Sequence, residues 1–197
     1  MCFDREYPDE VNGITHVSVI HREDLTESMA LKFGGNMVEL RAIAEDNFID
    51  AFNLELAPGQ ERFVSHPIRS LAQAYVYREQ CQPFGIYADG KMVGYVMVIY
   101  DYDVPEYDIW HMMIDTSAQG RGFGSAALDR VIEYIRTKPF GDSDRVALTC
   151  NRDNPSARKL YERKGFRATG VEDADEIELA MTVPPQEKPR LLRSLSD

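Results

Sequence analysis

The chain has 197 residues, 44% of them hydrophobic and 28% charged, and a formal net charge of −11. That length fits one domain with a full core, and the composition is ordinary for a soluble globular protein. The acidity argues against DNA or RNA as a partner, because phosphate binding needs clustered Lys and Arg, and it suits a cationic substrate better.

Residues 1–36 carry seven acidic and three basic residues and read as an extension, with a short strand at Thr15 to Ile20 and a short helix at Leu25 to Phe33. This arm reads either as regulatory or dimer-forming, which makes a homodimer one expectation, or equally as a segment preceding the true start, since Met37 opens the recognisable domain. A domain over 37–183 follows, carrying a net charge of about −8 by formal counting. Within it Met37 to Ile43 alternates apolar and polar residues, the pattern of a half-buried strand. Ala44 to Leu56 places Phe48, Ile49, Phe52 and Leu56 at helical spacing. After Pro58-Gly59, Pro67 opens a second helix. Phe84 to Ala88 and Met92 to Tyr100 read as strands joined by the tight turn Asp89-Gly90. Tyr107 to Ile114 is a further strand and Gly124 to Arg136 a helix burying Ala127, Leu128, Val131, Ile132 and Ile135. Arg145 to Cys150 is a strand, Pro155 to Lys164 a helix and Ile177 to Val183 a last strand, and residues 184–197 begin a proline-containing tail. The order β-α-α-β-β-β-α-β-α-β defines a mixed α/β single domain.

Cys2, Cys81 and Cys150 have neither disulfide nor zinc spacing, and His16, His21 and His66 form no metal set, so no metal is expected. The N-terminus lacks a basic start followed by an apolar stretch, and the longest apolar run, Met92 to Tyr100, is too short to span a bilayer. A cytoplasmic protein without a membrane partner is the expectation.

Between the strand ending at Ile114 and the helix from Gly124 runs Gln119-Gly120-Arg121-Gly122-Phe123-Gly124. Glycines let the backbone turn tightly with its N–H groups outward, and a helix start adds about half a positive charge, which together cradle an anion such as pyrophosphate. A Walker loop would need Lys then Ser or Thr, where Ser125-Ala126 stand instead. A dinucleotide fold wants G-x-G-x-x-G on an early strand, and the spacing here is G-x-G-x-G past mid-chain. Q-x-x-G-x-G between strand and helix fits an acyl-CoA pyrophosphate loop, although glycine-rich loops are also ordinary turns. Downstream stands N-P-S-A-R-K-L-Y-E-R-K-G-F, from Asn154 to Phe166. Capping explains Asn154, Pro155 and Gly165. It does not explain Tyr161.

The two motifs together resemble the GNAT acetyltransferase superfamily over residues 37 to 183. The resemblance implies a twisted, mostly antiparallel sheet, flanked by helices and split where acetyl-CoA inserts. It implies that Gln119, Gly120, Arg121, Gly122, Phe123, Gly124 and Ser125 form the pyrophosphate loop. Met113 and Ile114 would pair with the pantetheine arm, Asn154 and Ala157 would contact the cofactor, and Tyr161 would protonate the leaving thiolate. The stretches L-A-P-G-Q-E-R-F-V (Leu56 to Val64), S-L-A-Q-A-Y (Ser70 to Tyr75), P-F-G-I-Y (Pro83 to Tyr87) and V-G-Y-V-M (Val93 to Met97) look like bacterial spermine/spermidine (diamine) acetyltransferases. Those enzymes tend to carry a carboxylate in the cofactor strand, where Trp110 and His111 stand here. The expectation is therefore N-acetylation of a primary amine, a polyamine first among them. Glu61, Asp101, Asp103, Glu106, Asp108 and His111 are its candidate acceptor-site residues, against the plainer reading of a solvated hairpin connector. Another amine (an aminoglycoside, an amino acid, a protein lysine) and a non-catalytic acyl-CoA-binding module are the alternatives.

Overall fold

The computed structural model describes residues 38–183. The readings at Thr15 to Ile20, at Leu25 to Phe33 and in the tail lie outside the described residues. A seven-stranded sheet runs in the order β1 (Val38–Ala42), β2 (Cys81–Ala88), β3 (Lys91–Asp101), β4 (Glu106–Ile114), β5 (Arg145–Asn151), β7 (Glu176–Thr182), β6 (Arg167–Asp173). Every neighbouring pair is antiparallel except β4 with β5. Four helices flank it: α1 (Phe48–Phe52), α2 (Pro67–Val76), α3 (Phe123–Arg136) and α4 (Pro155–Arg163). This is the mixed α/β fold expected, with two corrections.

The first correction concerns Ala44 to Leu56, where helix covers only Phe48–Phe52. Asn47 folds its side chain back on the preceding turn, accepting from Ala44 N at 2.8 Å and donating to Ala42 O at 3.0 Å. The helix therefore starts late, as local Asn bonding to backbone predicts. The second is β6, which the sequence reading missed. All seven of its residues are exposed, so no buried face imposes alternation on Arg167–Asp173, and the strand exists because β7 offers it a backbone edge.

The centre of the sheet is buried on both faces. On β3, Val96, Val98 and Tyr100 enter the larger core with the apolar stripe of α3, while Tyr95 and Met97 enter a second cluster with Ala51, Leu54 and Ala74. Successive strand residues point to opposite faces, so one run of apolar residues serves both layers. The Asp89-Gly90 turn has both residues at positive φ, 50° and 76°, as a two-residue hairpin requires.

Two features shape β4. A bulge shifts its register against β3, so that Met97 faces His111 while Val98 faces Ile109, leaving Trp110 as the extra residue. On its other side β4 pairs with β5 only at Tyr107↔Val146 and Asp108↔Ala147. From Ile109 to Ile114 the two strands part. At the far end of the opening Ile114 lies opposite Gly94, where a Cβ would stand 2.5 Å from the Met113 carbonyl oxygen. Only glycine allows β3 and β4 so close there.

Candidate active site

The glycine-rich loop continues directly from the open end of β4. Asp115 organises its start: its carboxylate accepts from Ser117 N at 2.9 Å and from Glu55 N at 2.8 Å. Burial pushes this carboxyl up, but the Glu55 N–H and the Ser117 hydroxyl and N–H outweigh it and hold it below the usual carboxylate value. Gln119 closes the loop onto β4, donating to Ile114 O at 2.9 Å. Gly120 and Gly122 take φ of 75° and 84°, a region that costs other residues strain. Gly122 is the N-cap of α3, and no side chain caps that helix. Its first-turn N–H groups are thus left for another acceptor. Gly124 has ordinary φ, and a Cβ there would rest 3.5 Å from Ile114 Cγ1 and 3.7 Å from Leu160 Cδ2. A Cβ there would therefore sit in ordinary contact between β4 and α4, so neither the turn nor the packing requires glycine at this position. Arg121 stacks over the Phe123 ring at 4.7 Å, and Phe123 is buried.

On α4, Asn154 caps the helix, its side-chain oxygen accepting from Ala157 N at 3.2 Å. Tyr161 stands edge-on to Phe166 at 6.0 Å and is half-buried against the larger core. Burial first, then the nearby Cys150 and Asp108, push its phenol well above its usual pKa. It stays protonated at neutral pH and can act as an acid. Cys150 is buried on β5, its thiol pushed up by burial, so it has the character of packing rather than of a nucleophile.

The acidic residues separate into different environments. Asp101 holds the β3–β4 turn, accepting from Asp103 N at 2.8 Å and Val104 N at 3.1 Å, and Asp103 is exposed beside it. Glu106 is paired with Arg145, whose other nitrogen donates to Glu178 at 2.8 Å. Asp108 sits at the apex of the opening between β4 and β5. Burial, reinforced by the negative charges of Glu106, Glu178 and Asp101, raises its pKa to about 7. Arg145 is engaged by two other carboxylates and leaves Asp108 among like charges. Glu61 is exposed in the α1–α2 connection, away from this group in the hydrogen-bond pattern.

His111 lies on β4 with Nε2 at 3.1 Å from Gln73 Oε1 of α2, which ties the ring to that helix. Burial, and then the charge of Arg69, lower its pKa to about 4. A histidine with that value is a weak base at neutral pH, so of the two kinds of proton acceptor considered from the sequence, Asp108 is the better placed. Trp110 packs edge-on against Tyr77 at 5.5 Å. Met113 is buried in the second cluster and Ile114 half-buried against the first. The sequence reading did not single out Gly94, Gln73 or Arg145; their spacing carries no motif, since each acts through a partner distant in the chain.

A parallel-strand opening thus runs on into a helix N-terminus that no side chain caps. The sequence profile of the Acetyltransferase (GNAT) family matches residues 45–166, more than half of the chain, and the chain belongs to that family. It is 38% identical to the mycothiol acetyltransferase of Beutenbergia cavernae over 69 residues, which is 35% of this chain and 22% of that relative's length. Among solved structures the fold is similar to spermidine N-acetyltransferase from Vibrio cholerae in complex with CoA and spermine. The TM-score is 0.56 and the identity 22%, over 74% of this chain and 95% of that one. It is also similar to the Salmonella typhimurium acetyl transferase that modifies the N-terminal serine of ribosomal protein L7/L12. There the TM-score is 0.56 and the identity 17%, over 75% and 95% of the two chains. Among the described residues no helix is long and apolar enough to cross a membrane, and no group of three or more His, Cys, Asp or Glu is placed to hold a metal ion.

Proposed function

We propose that this chain transfers the acetyl group of acetyl-CoA to a primary amine by direct attack, with Asp108 as general base and Tyr161 as general acid. The observation that carries the reading is the parting of β4 from β5 just beyond Asp108, in line with the glycine-rich loop. The unpaired β4 edge suits a peptide-like pantetheine arm, which adds as a strand does. The amides of Gly120 to Ser125 suit the pyrophosphate, and the positive φ at Gly120 and Gly122 fits that cradle. Gln119 holds the loop, and Asn154 and Ala157 line the start of α4.

An amine of pKa ~10.4 is free base in under about one molecule in a thousand at neutral pH. As the C–N bond forms, the nitrogen becomes acidic and its proton passes to Asp108, directly or through water. The C–S bond breaks and the thiolate takes the Tyr161 proton, which the protonated base restores through solvent. No enzyme nucleophile is needed, in keeping with the buried Cys150.

For the acceptor, the acidic domain, the resemblance of residues 56–97 to diamine acetyltransferases and the fold likeness to a spermidine enzyme support a polyamine. One observation favours a second reading, an amine that also bears a carboxylate. Arg69 lies one helical turn before Gln73 on α2, and its charge reaches His111, so a cation already borders that side. Thiol release from acetyl-CoA with spermidine, an amino acid and an aminoglycoside, each against a no-amine blank, tests the function. A spermidine-dependent rate sustains the first reading, and a rate only with the amino acid sustains the second. CoA binding without turnover on any amine would turn the reading to a non-catalytic acyl-CoA-binding module.

A further inference from the structure

The connection between α1 and α2 is tied to the glycine-rich loop by a pair of glutamine side chains 59 residues apart in the chain. Gln60 and Gln119 form a reciprocal amide pair, Gln119 Nε2 donating to Gln60 Oε1 at 2.8 Å and Gln60 Nε2 to Gln119 Oε1 at 3.3 Å. Gln119 Nε2 uses its second hydrogen on Ile114 O. One side chain thus references the end of β4, the loop and the connection to each other. Gln60 is itself fixed on the connection side. Its Oε1 accepts from Ala57 N at 3.2 Å and its N–H donates to Ala57 O at 3.0 Å, across the Pro58-Gly59 turn. Its carbonyl accepts from Phe63 N at 2.9 Å and Val64 N at 3.3 Å, and Val64 packs on the second core. From there the chain enters α2, whose Gln73 holds His111 on β4.

We propose that Gln60 is a positioning residue that transmits occupancy of the glycine-rich loop to the α1–α2 connection, which carries the acceptor-site candidate Glu61. The inference rests on the reading of that loop as the CoA pyrophosphate site. An anion held by Gly120 to Gly124 restricts the backbone that carries Gln119, and the amide pair passes that restriction to residues 55–64. CoA binding therefore orders this connection, and the amine binds better to the CoA-loaded protein than to the free one. The coupling is reciprocal, as any binding linkage is. A separate tie keeps the fold intact without Gln60: Glu55 N donates to Asp115 and Thr116 N donates to Glu55 O at 2.9 Å.

The test is amide hydrogen exchange on the full chain, with and without CoA, for the unaltered protein and Gln60→Ala. CoA is expected to slow exchange over residues 119–125 in both proteins, and over 55–64 in the unaltered protein alone. At saturating acetyl-CoA, Gln60→Ala should raise the spermidine KM about fivefold, the scale of one or two neutral hydrogen bonds, with kcat within about twofold. Protection at 119–125 with residues 55–64 responding alike in both proteins overturns the coupling and leaves the CoA reading standing. Absence of protection at 119–125 in the unaltered protein overturns the CoA reading and the coupling with it.

Discussion

The two ends of β4 differ in composition, acidic at Glu106 and Asp108 and mostly apolar from Ile109 to Ile114, and in use. At its start, Tyr107 and Asp108 are paired to β5, and the Tyr107 hydroxyl donates to Gly141 O at 2.8 Å while accepting from the N–H groups of Phe140 and Gly141. Glu106 is held by Arg145. At its end, from Ile109 to Ile114, β5 has turned away, and the backbone is paired with β3 and, at Ile114 O, with the Gln119 side chain. The closed end uses its polar groups on the protein itself, whereas the open end leaves them to something else. Asp108 stands at the boundary, close enough to the closed end to feel Glu106 and Glu178 and close enough to the opening to influence Tyr161. Charge alone therefore does not separate Asp108 from Glu106; the Arg145 cation that Glu106 has beside it does.

The largest effect that would break this comparison is at the boundary. Asp108→Asn should lower kcat by about a hundredfold or more, the usual worth of a positioned general base. It should also stabilise the protein above neutral pH. With a folded pKa raised to about 7, Asp108 contributes stability that is complete below its unfolded value near 3.8 and is lost as pH rises through about 7. Thermal melts of the two proteins across that range check the sign. Tyr161→Phe should lower kcat about tenfold to a hundredfold, while calorimetry finds CoA affinity within about twofold, since the ring packing on Phe166 survives. Unchanged turnover would remove Tyr161 from the chemistry. At the open end, Gly122→Val places a branched residue at φ 84° and should weaken CoA about tenfold, from strain of about 1–2 kcal/mol in the cradle. At the closed end, Glu106→Gln should change activity less than about twofold and stability by under about 1 kcal/mol, because the Arg145 side chain is 45% exposed. An effect on kcat rivalling that of Asp108→Asn would place the acceptor site at the closed end instead.

The parts of this molecule legible in the sequence are those where neighbours in the chain do the work. The glycine-rich turn, the Asn154 cap, the Asp89-Gly90 hairpin and the apolar stripe of α3 are local patterns, and each stands within a residue or two of its expected place. β6 was illegible because its stability comes from pairing with β7 and its side chains are all in solvent. The short α1 was misjudged because apolar spacing continued past a helix that Asn47 delays. The six acceptor-side candidates looked equivalent along the chain. What distinguishes Asp108 is Arg145 and Glu178, 37 and 70 positions further on, and what demotes His111 is Gln73 and Arg69 on another helix. The three glycines look alike along the chain, yet only Gly120 and Gly122 take the positive φ of the turn, while a Cβ at Gly124 would meet ordinary contacts.

On the proposed function, Asp108, at the mouth of the β4–β5 opening, takes the amine proton during acetyl transfer. Its most direct test is the pH profile of acetyl-CoA thiol release under saturating amine, for the unaltered protein and Asp108→Asn. The account predicts an inflection near pH 7 in the unaltered protein, rate rising as the carboxylate forms, and a low profile lacking that inflection in the variant. The same inflection in both proteins, at comparable rates, would contradict it.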